Sequence, residues 1–253
     1  MIGIFVLEII AAITYYMAAV ISGLKNKIAT AIAIGVAVCS NGAIVIYNWS
    51  INGYVPFVSM YQVLTFLALA FFPIFLCMKY MYEGEWMFKY FCVASGVCMT
   101  GVCFMSGGAS PWTFPPALQS IWFVPHILAY MIAYSLVTVA CIITVVGFFK
   151  KGDYKYDNGA YHLGHTAFPF MTMGMLFGAI WANAVWGEYW SFDAKENWSL
   201  VTWLMLTLYL HFRNDKQFNN ISKIFIILAF VGVIITMLFV NMMGGSSMHT
   251  YST

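Results

Sequence analysis

Eight uninterrupted apolar runs divide this 253-residue sequence, most of them close to 20 residues long. They lie approximately over residues 2 to 22, 28 to 48, 57 to 78, 87 to 106, 121 to 149, 166 to 186, 198 to 212 and 222 to 243. About 20 residues at a rise of about 1.5 Å each cover the roughly 30 Å of a bilayer's hydrocarbon core, and a helix satisfies every backbone polar group internally there. The runs therefore predict an all-α polytopic membrane protein with about eight transmembrane helices, or seven if the short seventh run does not cross. They are continuous instead of alternating over about ten residues, which excludes a β-barrel. Lys, Arg, Asp and Glu make up only 8% of the chain and 62% is apolar, too little charge for the surface of a soluble globule.

The few charges predict orientation. With the N-terminus outside, the first, third, fifth and seventh connections face the cytoplasm and hold Lys25, Lys27, Lys79, Lys89, Lys150, Lys151, Lys155, Arg213, Lys216 and Lys223. That is ten of the eleven basic residues, with Lys195 alone outside. Both termini are thus expected on the outer, periplasmic side of the cytoplasmic membrane. The first run lacks a charged n-region and a small-x-small cleavage site, so it reads as a spanning helix and not a signal peptide. The longest polar stretch, about residues 150 to 164, is too short for a second domain, and a single integral membrane domain over residues 1–253 is expected. No basic run exceeds Lys150-Lys151, which speaks against nucleic acid as a partner.

The six cysteines, Cys39, Cys77, Cys92, Cys98, Cys103 and Cys141, all fall in apolar runs and form no C-x-x-C, so they read as small buried hydrophobes. Glu8, Asn41 and Gln62 read as polar contacts between helices.

Chemistry concentrates in one place. Five of the nine tryptophans, Trp181, Trp186, Trp190, Trp198 and Trp203, occupy 23 consecutive residues. Their connection carries Glu188, Asp193, Lys195 and Glu196 and is predicted to leave the membrane on the outer face and re-enter it. An interfacial aromatic belt is one reading. A flat apolar shelf for a planar ligand accounts better for so many indoles in one connection. His126, at the outer start of the fifth run, and His249, beyond the outer end of the eighth, share that side of the membrane. Two imidazoles flanking an aromatic shelf suit axial ligation of a porphyrin iron from opposite faces, though each taken alone also reads as a plain interfacial histidine. His162 and His165 fall in the cytoplasmic connection or at the start of the sixth helix and read as solvated.

The stretch Trp186-Gly-x-Tyr-Trp-Ser-Phe-Asp-Ala-Lys-Glu-Asn-Trp-Ser-Leu-Val-Thr-Trp-Leu204, continuing to Tyr209-Leu-His211-x-Arg213, resembles the tryptophan-rich WWD signature of haem-handling cytochrome c assembly proteins. Within that superfamily it is most similar to the CcsA/ResC family of the system II synthase. Further matches are Ser59-Met-Tyr-Gln62, similar to the family's N-L-Y-E-S, the helix His126-x-x-x-Tyr130-x-x-x-Tyr134-Ser, and Met-His249-Thr-Tyr251. The usual W-D-P-K-E-T-W stands here as Phe192-Asp-Ala-Lys-Glu-Asn-Trp198, which puts the loop's shape in question more than its role.

The resemblance implies that His126 and His249 are axial ligands of haem b held against a loop that includes Trp181, Trp186, Gly187, Tyr189, Trp190, Phe192, Asp193 and Trp198. It implies a subunit of holocytochrome c synthase, the cytochrome c haem lyase, that presents haem to apocytochrome c CxxCH thiols. A CcsB/ResB-type membrane protein and thiol-reducing pathway proteins are the further partners implied. The family's embedded histidine corresponds to His211, proposed to take up haem before its export. Thirteen residues beyond Trp198, it is expected about 20 Å inward, where a snorkelling residue beside Arg213 is an equally good reading. Alternatives are a CcmC-like protein delivering haem to a chaperone, a cytochrome b-type electron-transfer subunit, which would need intramembrane His pairs, and a secondary transporter, which would need paired interrupted helices.

Overall fold

A computed structural model of the chain describes residues 2–105, 114–150, 153–213, 215 and 219–239. Eight α-helices run through the described residues: α1 (Ile2–Gly23), α2 (Lys27–Asn52), α3 (Met60–Tyr82), α4 (Phe88–Cys103), α5 (Phe123–Phe149), α6 (Tyr154–Trp186), α7 (Ala194–Arg213) and α8 (Asn219–Ile234). A π-turn over Ile235–Phe239 extends α8, short 3₁₀ turns precede α4 and α5, and no strand occurs among the described residues. Seven of the helices are long and apolar enough to cross a membrane. The eighth, α7, takes Lys195 and Glu196 into its first turn and ends on Arg213, so three charges fall within its 20 residues.

Local chemistry sets the ends. Asn26 caps α2 by accepting from Ala29 N, and Gly53 ends it in the left-handed conformation at φ 73°. Ser59 and Gln62 form a capping box that starts α3, which gives the Ser-Met-Tyr-Gln stretch a structural job. Asp153 caps α6. That helix has 33 residues and begins at Tyr154, so most of the expected polar connection over 150 to 164 is helical. At about 1.5 Å per residue α6 is about 50 Å long, well beyond a hydrocarbon core, and one end must project.

The chain forms two compact units, Met1–Pro115 and Pro116–Tyr251. In the first, α1 packs on α2 and α4, and α3 packs on the same two helices. Its interior holds two of the polar contacts expected between helices, those of Glu8 and Asn41, whereas the Gln62 Oε1 accepts from Val58 N and Ser59 N at the start of its own helix. Tyr61 donates to the buried Glu8 carboxylate. The Asn41 amide accepts from Tyr15 Oη at 3.2 Å and Leu69 N at 3.0 Å and donates to the Thr65 carbonyl at 3.1 Å. Four of the six cysteines are buried or half-buried, but Cys39 and Cys77 are exposed on helix faces, where hydrocarbon and not protein is the apolar surrounding.

In the second unit α5 packs along α6, and α7 and α8 pack on each other, with α6–α7 and α5–α8 contacts closing the group. Glycines on α6 permit the close approach: a Cβ at Gly164 would lie 2.8 Å from the Tyr209 ring, and one at Gly174 would lie 2.8 Å from the Tyr130 ring.

Candidate functional site

His126 occupies the first turn of α5, beside α6. Its Nδ1 lies 2.8 Å from the Gly174 carbonyl oxygen. A carbonyl can only accept, so Nδ1 carries a proton, and in the neutral ring Nε2 then carries the lone pair. That is the tautomer a metal-ligating imidazole needs, with a backbone carbonyl orienting the ring from behind. The approach is possible because Gly178, one turn along α6, has no side chain: a Cβ there would lie 2.7 Å from both Cε1 and Nδ1 of the imidazole.

Aromatic rings box the histidine. Tyr130 meets it edge-on at 5.1 Å and Trp181 at 5.5 Å with a 36° tilt. Trp181 is buried, touches Phe123 at 5.3 Å and Trp186 at 5.1 Å, and donates Nε1–H to the Ala117 carbonyl at 2.9 Å. It therefore ties α6 to the segment leading into α5 and walls the imidazole on one side. Trp203 has a similar tying role further along: its Nε1 donates to Thr172 Oγ1 at 3.0 Å and its ring stacks on Phe168 at 5.5 Å.

Gly187, left-handed at φ 83°, ends α6 and opens the connection to α7. The two acids of the signature are spent on shaping it. Asp193 Oδ1 accepts from Glu196 N at 2.8 Å, and Glu196 Oε2 accepts from Ser191 N at 2.8 Å, Ser191 Oγ at 3.2 Å and Asp193 N at 3.3 Å. This is a capping box at the start of α7. Asp-x-x-Glu is the sequence signal of such a cap, and the start expected at residue 198 passes over it. Phe192 adopts φ 59°, rare for an aromatic residue, and Asn197 Nδ2 holds its carbonyl at 2.6 Å. The clamp leaves Phe192 71% and Tyr189 62% exposed, with Trp198 partly so at 37%. Trp190 is half-buried and meets Phe192 edge-on at 6.3 Å. Burial pulls the Lys195 ammonium down to about 8, against the opposing pull of Asp193.

The contacts thus gather His126, Trp181 and Trp186 into one group, and Trp190, Phe192 and Asp193 into the adjoining loop. His211 lies elsewhere, exposed in the last turn of α7 and edge-on to Phe212 at 5.4 Å. One continuous helix joins it to Trp198, about 20 Å away. His162 and His165 are on α6 itself, beside Tyr161 at 6.0 and 5.8 Å between ring centres. His249 lies outside the described residues.

Residues 57–247 match the family described as Cytochrome C assembly protein. The chain belongs to that family. Curated relatives place it in the CcsA branch of cytochrome c biogenesis proteins. The CcsA of Chlamydomonas reinhardtii is 30% identical over 257 residues, covering 93% of this chain and 71% of the relative. The CcsA proteins of Guillardia theta and Lactuca sativa are each 27% identical, over 98% and 85% of this chain and 93% and 83% of their own lengths. In fold the chain is similar to the cytochrome c haem lyase CcmF, with a TM-score of 0.70 at 18% identity; the match covers 92% of this chain and 45% of CcmF. This member of the CcsA family is a multi-pass helical membrane protein that belongs to cytochrome c assembly.

Proposed function

We propose that this chain holds haem b at the outer face of the cytoplasmic membrane and, with a CcsB/ResB-type partner, promotes its covalent attachment to apocytochrome c. The observation that carries the reading is the His126–Gly174 pair. A backbone carbonyl fixes the imidazole as the Nε2 ligand tautomer, and aromatic rings surround it, which suits an iron porphyrin better than a hydrophilic ligand. His249 supplies the second axial bond. Trp186, Tyr189, Trp190, Phe192 and Trp198 offer the apolar surface against which the porphyrin plane lies.

The chemistry attaches each thiol of a CxxCH segment across a haem vinyl group: a sulfur–carbon bond forms and the thiol hydrogen passes to the neighbouring carbon, with no net oxidation. This chain's part is positioning. Two axial bonds and a rigid loop fix the vinyl groups so that the incoming thiols meet them at high effective concentration. Keeping those thiols reduced is work for thiol-reducing partners. His211, exposed near the other end of α7, takes part in loading haem from the cytoplasmic side.

The test is to purify the protein, alone and with its partner, and record the absorption spectrum and haem content. A six-coordinate, bis-histidine haem b spectrum is expected. Preparations devoid of haem in both states would overturn the reading.

A further inference from the structure

The start of α6 carries a cluster that the reading above leaves unused. Asn158, Tyr161, His162 and His165 stand at i, i+3, i+4 and i+7, one face of the helix. Arg213, at the end of α7, is seated on that face. Its Nη2 donates to Asn158 Oδ1 at 3.1 Å and its guanidinium carbon lies 5.9 Å from the Tyr161 ring centre. Its Nε is buried and has no hydrogen-bond partner among the described residues. The neighbouring carboxylate, Asp157, is engaged by Lys223 at 2.9 Å, in a pair only about 15% exposed on either side. The guanidinium is therefore oriented by an amide and a phenol ring, both neutral, while two imidazoles stand beside the same ring.

We propose that Arg213, His162 and His165 form a carboxylate-binding site whose ligand is the propionate pair of a haem awaiting transfer. The proposal rests on the haem-handling reading and deepens it. A guanidinium presents paired N–H donors in the plane a carboxylate matches, and one whose direct partners are an amide and a phenol ring, with the adjacent carboxylate engaged by Lys223, has donors left to take an anion. Tyr161 adds an aromatic surface, which a planar, largely apolar dicarboxylate uses and a small inorganic anion does not. His165 and Gly178 are thirteen residues apart on one helix, so this site lies about 20 Å from the His126 pocket along α6. A single helix would then carry a holding point at each end, one reading the carboxylates and the other the iron.

The test titrates haemin and haemin dimethyl ester, whose carboxylates are blocked, into the full-length protein in a His126→Ala background. Arg213→Gln is expected to weaken haemin about tenfold and His165→Gln about threefold, while the ester binds all three proteins equally and so reports an intact fold. Unchanged haemin affinity in Arg213→Gln, or equal weakening of haemin and ester, overturns the site. Loss of anionic-lipid retention in Arg213→Gln with haemin affinity intact would mark a headgroup site and overturn it too. If wild-type protein binds no haemin, the haem-handling reading itself fails and takes the site with it.

Discussion

Nδ1 of His126 lies 2.8 Å from the carbonyl oxygen of Gly174, and this contact between α5 and α6 fixes how the candidate ligand is presented. The Gly174 carbonyl already belongs to a helix; its second lone pair serves the imidazole because Gly178 carries no side chain to hold the ring away, while Gly174 makes room for the Tyr130 ring. The approach of the ligand and the packing of α5 on α6 thus each depend on a glycine of α6.

Gly178→Ala should therefore damage ligation from behind the ring. Its Cβ would lie 2.7 Å from Cε1 and Nδ1 of His126, so the imidazole must move. Overpacking of this kind costs about 1–3 kcal/mol. Thermal unfolding should fall accordingly, and the bis-histidine spectrum should be replaced or lost. Gly35→Ala, where nothing lies within 4 Å, is the control and should leave the spectrum as it is. An unchanged spectrum in Gly178→Ala would show that the ring's position does not matter.

Asp193 and Glu196 act on the fold of the loop. Asp193→Ala removes the side chain that accepts from Glu196 N, a cap worth about 1 kcal/mol. Amide hydrogen exchange over residues 194 to 198 should accelerate about fivefold, with haem affinity falling as a consequence. Loss of haem binding with exchange rates unaltered would instead mean that these carboxylates meet the ligand directly.

Lys195 gives the loop a pH dependence. Burial lowers its folded value from 10.5 to about 8, so between those limits the unfolded chain binds more protons than the folded one. Stability then rises with pH from about 8 to about 10.5, and the burden of the buried charge is full below 8. Other groups titrate in this range, so the measurement is the difference between wild type and Lys195→Met in thermal midpoint. The variant should be the more stable below pH 8, and the gap should shrink as pH rises. A gap independent of pH would contradict the assignment.

Much of the architecture was legible in the sequence because hydrocarbon thickness imposes run length, and the apolar runs map onto the helices within a few residues over α1 to α5. The misses came where helix and polarity part company. Tyr154 to His165 looked like a connection because its residues are polar, yet α6 begins there, capped by Asp153, since a helix end that projects past the hydrocarbon tolerates polar side chains. In the same way α7 starts at Ala194, inside the charged signature, because Asp193 and Glu196 cap it. The placement of His126 beside the tryptophans was readable from topology. Its tautomer was not, since that depends on a carbonyl 48 residues away being bare of side chains. Nor did composition separate Trp181 and Trp203, which tie helices together through indole hydrogen bonds, from the partly exposed Trp198.

The most direct measurement of the central claim is the absorption spectrum and haem content of His126→Ala, purified with and without added imidazole. Removing the ring opens a cavity beside Gly174 and Gly178 that free imidazole can fill. Haem should be lost or become five-coordinate in the variant, and imidazole should restore the six-coordinate spectrum. Haem content and ligation identical to wild type without imidazole would contradict that claim.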